Sequence, residues 1–314
     1  MTLASNSASY IQQITIEAAL AIHETDGVYT GTGSWGAIGA AAAVSKLRGL
    51  SAEKTGHALG VAEYHAPRTP IMRGVENPGM TKDGIGWGAY VGVTAVDFAH
   101  CGFTASGTVF DEEGVDRTES LGNTHHITRG YLKPYPCCRW AHPGIDAVLA
   151  LVDNHRIDPG CINTIYIHTF SEASHLDTRH PSTIEEAEYS YPYPVAAAIA
   201  REQFTKTELS ESARLDNEIL CLTDNVKLVV NETIDEQFPN QCLGRVILDL
   251  GDREFDSGIT RPRGSQDRPL STSEQRAKII RLCKPTIPTD EISNVQEALS
   301  VRSNDISLVL SPWQ

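Results

Sequence analysis

The sequence predicts a mainly α protein with an α+β middle part, and two observations carry that class. Apolar residues recur at helical spacing through roughly the first hundred positions. Short runs rich in Ile, Val, Thr and Tyr, the composition of strands, begin only after about residue 117.

Taken in order, Ile11, Ile14, Ala18 and Ile22 mark one face of a helix from Ile11 to His23, which Asp26-Gly27 breaks. Trp35 to Leu47 is almost all Gly and Ala through its middle, so it is expected to be a helix buried on most sides. Gly49 ends it, and Ser51 caps a helix over Ala52 to Tyr64. Another apolar helix spans Gly88 to His100 and stops at Gly102. Strands are expected over Ile162 to Phe170, Val226 to Asn231 and Arg245 to Leu250, the last turning back through Gly251-Asp252-Arg253 toward Phe255. Helices over Gly144 to Val152 and Pro194 to Ala200 lie between them. Helices over Ser271 to Cys283 and Glu291 to Val301 close the chain, with Ser273 and Thr289 as caps and Arg261 to Pro269 as a turn-rich connector before them. The expected organisation is a helical domain over 1–117, an α+β domain over 118–265 and a helical tail over 266–314.

Composition narrows the function classes. The 314 residues carry 26 Lys+Arg against 40 Asp+Glu, a net charge of −14, which argues against a nucleic-acid partner because phosphate binding needs a concentrated basic surface. No apolar run reaches the ~18 residues of a membrane span. Met1 to Tyr10 lacks the basic and apolar regions of a signal peptide, so a soluble cytoplasmic protein is expected; a mitochondrial one would need a segment upstream of Met1. The seven cysteines include no C-x-x-C pair and read as reduced, mostly buried thiols. No zinc motif is present, and Gly31, Gly33 and Gly36 follow no strand, so neither a metal nor a dinucleotide cofactor is expected.

Three segments hold more polar groups than folding alone asks for. Ala62 to Trp87 contains Glu63, His65, Arg68, Arg73, Lys82 and Asp83 among Gly and Pro. Lys82 stands just ahead of an apolar helix, where its ammonium and the helix's positive end would both attract an anion. Tyr131 to Asp146 spaces Lys133, Arg139 and His142 along a proline-fixed stretch that feeds a helix near Pro143, a carboxylate-binding corner. The bland alternatives are a solvated charged loop for the first segment, and surface ion pairs with a capping histidine for the second. Ile184 to Val195 carries Tyr189, Ser190, Tyr191 and Tyr193 ahead of a helix; such aromatics are usually core, although a phenol in a cleft can move protons. His57, His100, His155 and His168 are expected to be structural, and Glu185-Glu186 to mark a helix start.

The stretch Lys133-Pro-Tyr-Pro-Cys-Cys-Arg-Trp-Ala-His142-Pro-Gly-Ile-Asp146 resembles the MmgE/PrpD family. Glu186-Ala-Glu-Tyr-Ser190-Tyr-Pro-Tyr193 and Arg261-Pro-Arg-Gly264 follow it in the family's order. That family includes 2-methylcitrate dehydratases, cis-aconitate decarboxylases and iminodisuccinate epimerases. The resemblance, over about residues 11 to 285, implies a helical domain with an inserted α+β lid domain, the last helices returning to the helical domain. It also implies a homodimer, a site between the domains and no obligatory metal. It implies catalytic roles for Lys82, His142 and Tyr193, and substrate contacts from Lys133, Arg139, His65, Arg73 and Cys138. The substrate implied is a small polycarboxylate, and the reaction implied is that of a dehydratase or decarboxylase working beside a carboxylate. An epimerase of an amino or imino dicarboxylate is the alternative, and a non-catalytic or partner-completed member the third reading. Thr30 and Cys138 stand where many members carry histidine. Members also have helices upstream of the part matched here, which this chain is expected to lack. Ile14, Ile16, Leu20 and the Ala-rich face of Trp35 to Val44 would then be bare and favour self-association.

Overall fold

A computed structural model of the chain describes residues 3–283 and 286–300. Its contacts divide the chain into two units, one ending at Gly130 and the other starting at Tyr131.

The first unit is built from α1 (Leu3–Asp26), α2 (Gly33–Arg48), α3 (Ala52–His65), α4 (Ile71–Glu76) and α5 (Ile85–His100). Helix α2 is the centre, packed by α1, α3 and α5. Its Gly and Ala residues are what permit this. A Cβ at Gly88 of α5 would strike the Gly33 carbonyl, and one at Gly92 the Ala37 carbonyl, so the two helices touch backbone to backbone. Ala37, Ala41, Ala58, Ala62, Ala95 and Val96 form the resulting core. The Ala-rich face expected to be bare is therefore covered within the unit, and Ile14 and Trp35 pack on a second cluster around Ile22 and Ile38. The helix ends follow the expected signals: Gly49 takes a left-handed φ of 67°, and the Ser51 hydroxyl accepts the Lys54 amide.

This unit runs past residue 117. Glu17 and Gln13 of α1 are buried, and buried polar groups need partners. The turns of residues 118–130 supply them: Glu17 binds the Ser120 hydroxyl and the His126 ring, and Gln13 accepts the Gly122 amide.

The second unit opens with α6 (His142–His155), β1 (Thr164–Thr169), α7 (Ser171–Ser174), α8 (Ile184–Glu188) and α9 (Pro192–Arg201). It continues with α10 (Glu211–Arg214), α11 (Asn217–Asp224), β2 (Val226–Val230), α12 (Glu232–Asp235), β3 (Arg245–Asp249) and β4 (Glu254–Asp256). The strands form one mixed sheet in the order β2-β1-β3-β4, with β1 and β2 parallel and the other pairs antiparallel. The β3–β4 turn closes where expected, Leu250 N donating to Arg253 O at 3.0 Å. Burial alternates along β1 and β3, so Ile165, Ile167, Val246 and Leu248 face a core shared with α6 and α9. Gly144 and Gly244 are glycines because the Tyr191 ring lies against both.

Helices α13 (Thr272–Cys283) and α14 (Thr289–Ser300) follow; Val301, expected to end the last helix, lies outside the described residues. Both belong to the second unit rather than to the first: Glu274 pairs with Arg263, and Lys278 donates to the Lys133 carbonyl. Ser271 caps α13 instead of Ser273, its hydroxyl accepting the Glu274 amide while Glu274 reaches back to the Ser271 amide. The thiols are less buried than expected: Cys137 and Cys242 are enclosed, whereas Cys101, Cys161 and Cys221 are exposed. Among the described residues no helix is long and apolar enough to cross a membrane.

Candidate active site

Residues 131–138 form a run without regular structure, held by Pro134 and Pro136, that turns through a short 3-10 helix (Arg139–Ala141) into α6. Pro143 sits in the first turn of α6, where its missing N–H costs nothing. His142 is thereby driven fully into the interior, at 0% exposure. Its ring nitrogens are both engaged: Nε2 lies 3.3 Å from the Cys137 carbonyl, and Nδ1 2.8 Å from the Tyr131 hydroxyl. A carbonyl can only accept, so Nε2 carries the proton and the bare Nδ1 accepts from the phenol. The histidine does not cap α6.

Three cations surround this imidazole. Lys133 Nζ donates to the same Cys137 carbonyl at 3.0 Å, the Arg139 guanidinium lies 4.4 Å above the Tyr131 ring, and Lys278 reaches in from α13 to the Lys133 carbonyl. Among the described residues no carboxylate pairs with any of the three. Burial, followed by the charges of Lys133, Arg139 and Lys278, holds His142 neutral, its pKa pushed down to about 3. Burial and the neighbouring Arg281 and Lys133 also lower Lys278. Such a cluster of like charges favours an anionic ligand.

A network running from the interior at Asp146 to the partly exposed Arg263 and Glu274 holds the run in place. Tyr135 donates to Asp146 Oδ1 at 2.5 Å; Arg263 donates from its backbone N and Nε to Asp146, from Nη2 to Tyr135 and from Nη1 to Glu274. The turn-rich connector is thus a latch joining the 131–138 run, α6 and α13. Gly264 makes it possible, since a Cβ there would overlap the Leu132 carbonyl. A cleft of about 240 Å³ opens beside Tyr135, Arg263 and Lys278. A larger hollow of about 760 Å³ lies along the other side of α6. Its arginines are already engaged, Arg261 with Asp267 and Arg268 with the Arg261 carbonyl, so the cationic run is the better anion site.

The remaining expected residues divide between the units. Cys138 is half-buried, its amide donating to Glu188 O at 2.7 Å. Tyr193 is fully buried, and its hydroxyl donates to the Glu208 carbonyl at 2.6 Å. Burial pushes that phenol up to about 12, and its ring packs edge-on against Phe204 rather than in the 131–142 run. Lys82, His65 and Arg73 belong to the first unit, and all three are exposed. Lys82 occupies a left-handed turn (φ 45°) ahead of Gly84 and α5, where the neighbouring Asp83 carbonyl accepts the Gly33 amide. A non-glycine residue at positive φ costs about 1–3 kcal/mol and is often tied to a functional turn. Gly74 of α4 lies against the Lys82 carbonyl, which brings the Arg73 helix to this turn, whereas His65 stacks edge-on with Tyr64. Sequence reasoning did not single out Tyr131, Tyr135, Arg263 or Lys278. Arg263 had a signal in the R-P-R-G motif; Lys278, on a polar helix, had none.

Two family models match the chain. The family model described as the MmgE/PrpD N-terminal domain matches residues 7–125, and that described as the MmgE/PrpD C-terminal domain matches residues 135–301. Both halves of the family are therefore represented in the chain. A search of curated proteins gave no match.

Proposed function

The chain belongs to the MmgE/PrpD family, and from that premise we propose that it is a lyase acting on a small citrate-like di- or tricarboxylic acid. The observation that carries this reading is the gathering of Lys133, Arg139 and Lys278, none paired with a carboxylate among the described residues, around a neutral His142. Removing a proton beside a carboxylate builds negative charge on it. Fixed cations at that position lower the barrier, each such donor contributing on the order of 3–4 kcal/mol.

In this reading Lys133 and Arg139 hold carboxylates and the Tyr131–His142 pair handles the proton, while Lys82 keeps the catalytic role that the family resemblance implies. Tyr193, its hydroxyl engaged by Glu208, supports packing. His65, Arg73 and Cys138 remain assigned to substrate contacts, and the chain works as a homodimer. One observation favours epimerisation as the second reading. Thr30 is buried with its hydroxyl engaged by Ser34 at 2.8 Å, and Cys138 offers only a thiol, so neither position supplies a strong acid to help hydroxide depart. An epimerase needs only to move a proton.

A thermal-shift series with citrate, methylcitrate, cis-aconitate and iminodisuccinate tests the substrate class. Stabilisation by at least one acid, lost in Lys133→Met, is expected; no stabilisation by any of the four overturns the reading.

A further inference from the structure

We propose that Tyr131 is the group that exchanges a proton with the substrate, and that His142 is the positioning residue that receives the phenolic proton from behind. This rests on the polycarboxylate reading and deepens it. His142 is at 0% exposure, with Nε2–H directed at Cys137 O and Nδ1 covered by the Tyr131 hydroxyl, so the imidazole has no face to offer a ligand. Tyr131 is half-buried and stands at the start of the same cationic run. Its hydroxyl lies 2.8 Å from the imidazole lone pair, and the Arg139 guanidinium covers its ring at 4.4 Å, so of the pair it is the phenol that stands on the side of the cations.

The step balances without a co-reactant. The substrate C–H bond beside the carboxylate breaks, and its proton goes to the Tyr131 oxygen. As that bond forms, the phenolic O–H proton passes 2.8 Å to His142 Nδ1, leaving an imidazolium. The C–H electron pair enters an enediolate held by the cations. Return of the proton reverses each transfer. Arg139, 4.4 Å over the Tyr131 ring, stabilises any phenolate character that develops, as a cation over a π-face does.

The electrostatics make the transfer substrate-dependent. The groups facing His142 are Tyr131, Lys133, Tyr135, Cys137 and Arg139 from its own run and Lys278 from α13, with Asp146 and Cys242 beyond them. Burial first, and then the three cations in that set, hold the imidazole neutral. A bound polycarboxylate offsets their field and makes Nδ1 a better base.

The test is solvent-deuterium incorporation at the substrate's α-carbon, followed by NMR on the whole chain with the acid that gives the largest thermal shift. Tyr131→Phe keeps the ring and the Arg139 stack. It is expected to slow exchange about 100-fold or more, the scale of general acid–base catalysis, with the thermal shift unchanged. His142→Asn is expected to lower the rate and flatten its pH profile while KM stays within about twofold of wild type. In the wild type, acid binding should move the His142 Nδ1 resonance toward its protonated position, and in Tyr131→Phe it should not. Wild-type exchange in Tyr131→Phe overturns the proposal while leaving the polycarboxylate reading intact, as does equal loss of binding and rate. An unmoved Nδ1 resonance in the acid-bound wild type also overturns it. Failure of every acid to bind the wild type overturns the parent reading instead.

Discussion

At the scale of single residues, the candidate site turns on a histidine kept neutral. The folded state holds His142 down to about 3, below its unfolded value near 6.5, so the unfolded chain binds more protons across that window. Its contribution is whole above about pH 6.5 and is lost as pH falls toward about 3, at roughly 1.4 kcal/mol per unit. Urea unfolding should therefore show about 2 kcal/mol less stability at pH 5 than at pH 7 from this residue, and His142→Gln should remove that difference. Lys133→Met should weaken binding of the preferred acid about tenfold or more, read by calorimetry, because a charge-assisted hydrogen bond is lost. His57 and Glu186 needed no special chemistry, as the sequence indicated: the Ala105 amide donates to His57, and Glu186 completes the capping box that starts α8.

At the scale of elements, the fold depends on small residues where helices cross and on one latch. Gly88→Ala should destabilise the protein by about 1–3 kcal/mol, because its Cβ meets the Gly33 backbone and neither helix can yield. Gly86→Ala, two residues earlier with open space around it, should gain up to about 1 kcal/mol from helix propensity. Thermal unfolding of the pair separates packing from propensity. Arg263→Ala should cost on the order of 2 kcal/mol. Asp146 is 8% exposed and loses its countercharge, but the arginine is itself partly solvated and Tyr135 still donates to the carboxylate. The loss should be smaller in Asp146→Asn/Arg263→Ala than the single changes add to, which a double-mutant cycle measures.

At the scale of the whole molecule, two cores underlie two units, each with its own buried cluster. A fragment beginning at Tyr131 contains the sheet, α6, the latch and α13. It is expected to unfold cooperatively, with near-UV signals from Tyr191 and Trp140; a featureless melt would show that the second core does not stand alone.

Periodicity and turn chemistry were enough to place α2, α3, β1, β3 and the β3–β4 turn, because those signals act between near neighbours in sequence. Composition was enough to show that α2 is enclosed, since only Gly and Ala let backbones approach so closely. The motif Lys133 to Asp146 marked the candidate site for the same reason: its prolines and its charges lie within one short run. Other features required the folded chain. That residues 118–130 belong with α1 depended on Glu17 and Gln13 finding partners more than a hundred positions away. That Lys278 completes the cation cluster depended on a contact spanning 145 positions. Whether His142 was a surface cap or a sealed, neutral base depended on burial, a property of neighbours that no local pattern encodes.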